Sequence, residues 1–389
     1  MALSSKSGKT LIGKGLARIN IMQHSKIPSL RIGELEVNPP IIQGGMGVRV
    51  SKANLAAAVA NEGCVGVVAT VGLGRFENHP GSEFVRVNEE ALRQELRKAK
   101  SMTAGIIGVN VMVALSNYEN LTTTATEEGV DIIISGAGLP LDLPKFVRGT
   151  PIKLIPIVSS ARALDIIYKK WKKQYNKTPD AVIVEGIKAG GHLGFKYEEV
   201  LQGTVPPLDE ILSEVIEVAN SVDPHIPVIA AGGIFDGQDI ARVLKLGASG
   251  VQMATRFVCT DECDVHENFK MAYVNAKKED ITIIKSPVGM PGRVINNKFV
   301  ERIKNGETVP FKCTYKCLKT CDPKTAPYCI AKVLANAAEG NLDEAFVFSG
   351  ENSYRCNEII PVKQLIHQLT EETIYYLSKD KEELCQKRK

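Results

Sequence analysis

Short apolar runs alternate with amphipathic stretches along most of the chain. Runs at 40–43, 64–69, 106–111, 131–134, 153–158, 181–184, 226–230 and 250–254 read as strands. Each is apolar on successive positions, the pattern of a strand covered on both faces. Helical patterns lie between them at 55–61, 88–100, 117–128, 161–171, 208–220 and 238–246. Ser51 is positioned to cap the first of these, and Ser159 or Ser160 the fourth. Strands alternating with helices imply a parallel sheet. Eight such units fit a closed (β/α)8 TIM barrel better than an open doubly wound sheet. The dinucleotide-binding version of the open sheet is weakened further, because no Gly-x-Gly-x-x-Gly follows the first strand.

After residue 280 the pattern changes. Turn formers crowd 286–293, four cysteines lie between 313 and 329, and helical patterns follow at 326–338 and 362–379. The expected organisation is an N-terminal extension over 1–30 and a barrel over 31–280. A lid or substrate lobe over 281–360 and a C-terminal helix with a basic tail over 361–389 complete it.

Composition narrows the class. An apolar content of 44% and a charged content of 24% are those of a globular protein, and a net charge of +4 over 389 residues carries no nucleic-acid signal. Basic residues gather at the ends: Lys6, Lys9, Lys14 and Arg18, then Lys379, Lys381, Lys387, Arg388 and Lys389. They read as solvated tails. No apolar run reaches the ~20 residues of a membrane span, and no secretory core opens the chain. Nine cysteines, an odd and mostly scattered set, point to a reducing compartment. The expectation is a cytoplasmic protein acting on a small molecule, without nucleic-acid or membrane partners. A homodimer is compatible with the sequence, which leaves the oligomeric state open.

Candidate chemistry sits where strands end. The run Glu185-Gly186-Ile187-Lys188-Ala189-Gly190-Gly191-His192 follows the sixth strand. In a barrel that end carries the active site. Gly190 and Gly191 let a flat or phosphorylated ligand approach the main chain, and His192 supplies a group that titrates near neutrality. Gly232-Gly233 after the seventh strand and Gln252-Met253-Ala254-Thr255 at the eighth fit the phosphate-binding end of a barrel. Gly44-Gly45-Met46 after the first strand would let a ring lie against backbone. Asn110, ending the third, offers donors and an acceptor to a ring carbonyl or imide.

Taken together, Gln43-Gly44-Gly45-Met46, Gly108-Val109-Asn110, Ala189-Gly190-Gly191-His192 and the pair Gly232-Gly233 with Gln252-Met253-Ala254-Thr255 resemble the nitronate monooxygenase (2-nitropropane dioxygenase) family. That group also includes FMN-dependent enoyl-acyl-carrier-protein reductases. The resemblance covers roughly residues 30 to 300. It implies FMN, with Gly45, Met46 and Asn110 at the flavin ring. Gly190, Gly191, Gly232, Gly233, Gln252, Met253, Ala254 and Thr255 would hold the ribityl chain and phosphate. His192 would be the catalytic base or orient the substrate. Glu185 stands where the family often has Gln, and an ionised carboxylate there accepts hydrogen bonds but donates none. Lys188 stands where nitronate oxidisers commonly have Glu, which bears on the substrate. The implied reaction is oxidation of an alkyl nitronate with dioxygen to a carbonyl compound and nitrite. NAD(P)H-dependent enoyl-thioester reduction, quinone reduction and a flavin-binding protein without turnover are the alternatives.

Cys313, Cys317, Cys321 and Cys329 form the one cysteine cluster. A helix would place the first three on one face. Their spacing matches neither zinc ribbons nor common ferredoxins. Reduced thiols packed as small apolar groups are the favoured reading, and a metal remains open.

Overall fold

The computed structural model describes residues 27–387, with side chains to residue 379. Most of the expected N-terminal extension, including Lys6, Lys9, Lys14 and Arg18, lies outside the described residues. So do the side chains of the basic tail beyond Lys379.

A hairpin of β1 (Leu30–Ile32) and β2 (Leu35–Val37) precedes the barrel. The barrel strands are β3 (Ile41–Gln43), β4 (Gly66–Ala69), β5 (Ile107–Met112), β6 (Ile132–Gly136), β7 (Lys153–Val158) and β8 (Val182–Glu185). After the two-residue β9 (Gly191–His192), which lies outside the barrel, come β10 (Val228–Ala231) and β11 (Gly250–Met253). Every barrel pairing is parallel, and spatial order follows chain order. The ring closes where Gln43 N donates to Val65 O (3.0 Å) and Val65 N to Ile41 O (3.1 Å). This is a (β/α)8 TIM barrel.

The strands are apolar throughout because both of their faces are covered. Ile42, Val67, Ile132, Ile134, Ile155, Ile183 and Ile229 fill one cluster together with Leu30, Ile32 and Val37 of the hairpin. That cluster is the barrel interior, with the hairpin plugging its lower end. The alternating partners Ile41, Val68, Val109, Ile133, Leu154, Val182 and Val228 pack against the outer helices. Each fully buried side chain of this size contributes roughly 2 kcal/mol, so the two layers together fix the strand register.

Two local expectations are corrected. Ser51 does not cap the first helix, Ala53–Asn61; Lys52 precedes it without a side-chain cap bond. The Ser51 hydroxyl turns inward instead, as described below. Ser160 does cap Ala161–Tyr175, accepting from Ala163 N. The second correction concerns Cys313, Cys317 and Cys321, which are not on one helical face. No helix or strand forms between Glu307 and Cys329. Lys316 sits at φ +46, and the segment spends its backbone bonds on the loop after β5. Ser116 N donates to Cys317 O (3.1 Å) and Lys319 N to Ala114 O (2.9 Å).

Beyond the barrel, β12 (Ile281–Lys285), β13 (Pro291–Ile295) and β14 (Val347–Phe348) form an antiparallel sheet. The small β9 joins it, pairing His192 with Gly292 and Gly191 with Arg293. The loop carrying His192 is thereby stitched to the second sheet rather than left free. The last helix, Val362–Lys387, meets the helix Gly237–Lys245, where Gly237 N donates to Glu372 Oε2 (2.9 Å).

Candidate active site

The C-terminal ends of the barrel strands open into one cavity of about 850 Å³. All the catalytic and cofactor candidates from the sequence line it: Gly45, Met46, Asn110, Glu185, Gly190, Gly191, His192, Gly232, Gly233 and Gln252 to Thr255. Strands β3, β5, β8, β10 and β11 deliver them, so residues two hundred positions apart share one wall.

The turn after β3 is set from below. Gln43 is fully buried; its Oε1 accepts from Val67 N (3.0 Å) and its Nε2 donates to Ser51 Oγ (2.9 Å). Ser51 Oγ also accepts from Met46 N (2.9 Å). This is where the serine's hydroxyl goes instead of to the helix. Arg49 fixes the far side of the turn. Its guanidinium donates to Gly72 O and to both oxygens of Glu77 (2.7 Å each). Gly45 must lack a side chain, because a Cβ there would fall 2.4 Å from Asn110 Cβ.

The opposite end is a glycine cradle. Gly232 and Gly233 have φ of +89 and +86, a conformation that disfavours side chains. The lobe completes the cradle with Ser349 and Gly350, which also line the cavity. Asn352 Nδ2 donates to Gly233 O (2.8 Å), and buried Arg293 donates to Ala189 O (2.8 Å) and Ile187 O. Two buried polar atoms on the cavity wall lack partners, Gln252 Oε1 and Ser349 Oγ. Buried polar groups are normally bonded. Orphans beside positive-φ glycines fit a polar ligand that both donates and accepts hydrogen bonds.

His192 and Glu185 set the electrostatics. His192 Nε2 is 2.7 Å from Ser286 Oγ, and Phe348 packs edge-on to its ring at 4.9 Å. Burial lowers the histidine to about 4, so it is neutral at pH 7. The Glu185 carboxylate has no hydrogen-bond partner among the described residues, and burial raises it to about 7. Ser286, Arg293 and Ser349 were not anticipated. Ser286 and Arg293 bound the run of turn formers visible in the sequence, but no spacing ties Ser286 to a histidine 94 positions earlier.

The carboxyl has a consequence for stability. The folded state binds its proton more tightly than the unfolded chain, so stability falls as pH rises from 4.5 towards about 7. Glu185→Gln removes that fall. In thermal unfolding of apoprotein, the variant should match the parent at pH 4.5 and melt several degrees higher at pH 8. Equal melting temperatures at both pH values would contradict a buried carboxyl.

Comparison with known proteins agrees with this arrangement. The sequence profile described as nitronate monooxygenase matches residues 29–372. A probable nitronate monooxygenase of Staphylococcus aureus (strain MSSA476) is 29% identical over 313 residues, covering 70% of this chain and 79% of the relative. The (3aS,4S,5R,7aS)-5-hydroxy-7a-methyl-1-oxo-octahydro-1H-indene-4-carboxyl-CoA dehydrogenase of Rhodococcus jostii (strain RHA1) is 30% identical over 269 residues. That match covers 69% of this chain and 66% of the relative. Among solved structures, FabK from Thermotoga maritima superposes with a TM-score of 0.69 at 26% identity, covering 94% of this chain and 98% of that one. A nitroalkane oxidase from Streptomyces ansochromogenes shares the fold, with a TM-score of 0.67 at 22% identity, covering 87% of this chain and 96% of that one.

Proposed function

The chain belongs to the nitronate monooxygenase family of oxidoreductases, and on that premise we propose that it is an FMN-dependent nitronate monooxygenase. The observation that carries this reading is a neutral histidine facing the same cavity as the glycine cradle. Gly232, Gly233 and Gln252 to Thr255 would hold the phosphate and ribityl chain. Gly45, Met46 and Asn110 would meet the ring, with Glu185 beside it and Gly190 and Gly191 along the ribityl chain. FMN, when bound, supplies a two-electron acceptor that can then react with dioxygen.

The protein's own groups act on the substrate. Ser286 engages Nε2 of His192, which leaves Nδ1 as the nitrogen without a protein partner. In the tautomer where Nε2–H donates to Ser286, Nδ1 is free to take the α-proton of a neutral nitroalkane, which delivers the nitronate in the site. Phe348 and the β9–β13 pairing hold the ring in place. The lobe after residue 280 acts as the lid, since Val288, Met290, Cys317 and Leu318 all face the cavity. The eight cysteines among the described residues are free thiols, which supports a cytoplasmic setting. Among the described residues no helix is long and apolar enough to cross a membrane.

A second reading, NAD(P)H-dependent reduction of an enoyl thioester, is favoured by one observation. Away from the cradle the wall is apolar, with Phe76, Phe84, Leu115 and Leu334, and gives more room than a small nitronate needs. The Rhodococcus relative, named for a carboxyl-CoA compound, points the same way. Anaerobic mixing decides between them. Flavin absorbance should bleach rapidly with an alkyl nitronate and slowly with NADH or NADPH. Fast bleaching by a nicotinamide alone would establish the reductase instead.

A further inference from the structure

The cysteine-bearing segment of the lobe is irregular and mostly only partly buried. Between Glu307 and Cys329 only Tyr328 is fully buried, and no helix or strand forms. A stretch of this length without secondary structure normally needs a cross-link or a function. It is tied to the barrel where Leu318 bridges Leu115 beside the cavity and where Tyr315 packs against Phe76 and Phe84.

Its four thiols gather. Cys313, Cys317, Cys321 and Cys329 are all half-buried, while Lys312, Thr314, Lys316 and Lys324 around them face solvent. Every pair among the four thiols lies within electrostatic reach. Cys317 packs against the apolar cluster of Val48, Phe76 and Phe84, but Cys313, Cys321 and Cys329 join no apolar cluster, so packing as small apolar groups does not explain the set. Cys64 and Cys263 in the barrel do pack that way.

The thiols are not arranged for one ion. Zn–S bonds of about 2.3 Å hold tetrahedral sulfurs roughly 3.8 Å apart. Among the described residues no group of three or more His, Cys, Asp or Glu side chains converges in this way. A cubane iron–sulfur core separates its four cysteine sulfurs further. We propose that Cys313, Cys317, Cys321 and Cys329 ligate a four-iron, four-sulfide cluster in the lobe, on the wall of the candidate active site. Each thiol loses its proton on ligation, and the oxidised cluster with its four thiolates is a dianion. Lys312, Lys316, Lys319 and Lys324 on the same segment offset that charge. Cys317 places the cluster at the cavity, which it lines together with Leu318 and Thr320. The ligand spacing is not that of ferredoxins, so the site is a separate solution to the same ligand requirement.

The test uses the full chain, purified without oxygen from cells supplied with iron and cysteine. Iron and acid-labile sulfide should each reach about four per chain. A broad band near ~400 nm that survives removal of FMN, and an electron paramagnetic resonance signal after dithionite, should accompany them. Iron analysis does not depend on flavin, so it stands or falls apart from the proposed reaction. Cys321→Ala should lose most of the iron while retaining the parent's circular dichroism, and Cys64→Ala should keep it. If Cys321→Ala fails to fold, the iron and sulfide content of the parent decides. One zinc per chain, or no metal after reconstitution with iron and sulfide, would overturn the proposal.

Discussion

Replacing His192 with alanine should lower turnover of a neutral nitroalkane by about 10³-fold, the scale of a lost general base. Binding of FMN should change little. The backbone of His192 is held by its pairing with Gly292 in β13, so deleting the ring leaves the loop in place. The ring's contacts are Ser286 and Phe348, neither of which belongs to the glycine cradle. The pH profile of the parent should stay flat on its acid side down to about 4, where the imidazole takes up a proton and can no longer accept one. An ordinary histidine would lose activity near 6.5. His192→Ala should abolish that acid limb together with the rate. Steady-state kinetics from pH 4 to 8 measures both, and a variant with the parent's kcat would remove the histidine from the chemistry.

Gly233→Val should yield protein without flavin. The φ of +86 costs a side-chain-bearing residue about 1–2 kcal/mol, and a Cβ there would lie 2.8 Å from Lys188 Cβ. The methyls of valine would press further on the Lys188 side chain, whose Cδ is 3.0 Å from that Cβ. A combined loss near 3 kcal/mol corresponds to roughly 100-fold weaker binding. Fluorescence quenching of FMN by apoprotein reads this directly, and far-ultraviolet circular dichroism checks that the barrel still forms. Parent-like affinity would remove Gly233 from the ligand site.

The eight strands were legible in the sequence because they are dictated locally. A strand buried on both faces must be apolar at successive positions, and Ile132, Ile133 and Ile134 say so without reference to anything distant. The glycines at strand ends were legible for a related reason. Gly232 and Gly233 announce a backbone that other residues adopt at a cost, whatever surrounds them. The family resemblance added order to those signals, since a barrel brings successive strand ends to one rim.

Tertiary structure decided the rest. Ser51 stands where a helix cap belongs, yet Gln43 and Met46 lie closer to hand in the folded chain and take its hydroxyl. The cysteine segment has helical spacing, but its backbone finds partners on the loop after β5 and forms no helix. Ser286 meets His192 only because β13 pairs with β9. Glu185 and His192 owe their displaced acidities to burial, which no residue carries in its own name. Sequence by itself determined what depends on a residue and its near neighbours: strand, helix, turn and the order of the barrel. The partners and charge states of the site depend on desolvation and on bonds between distant segments, and these exist only once the chain has closed on itself.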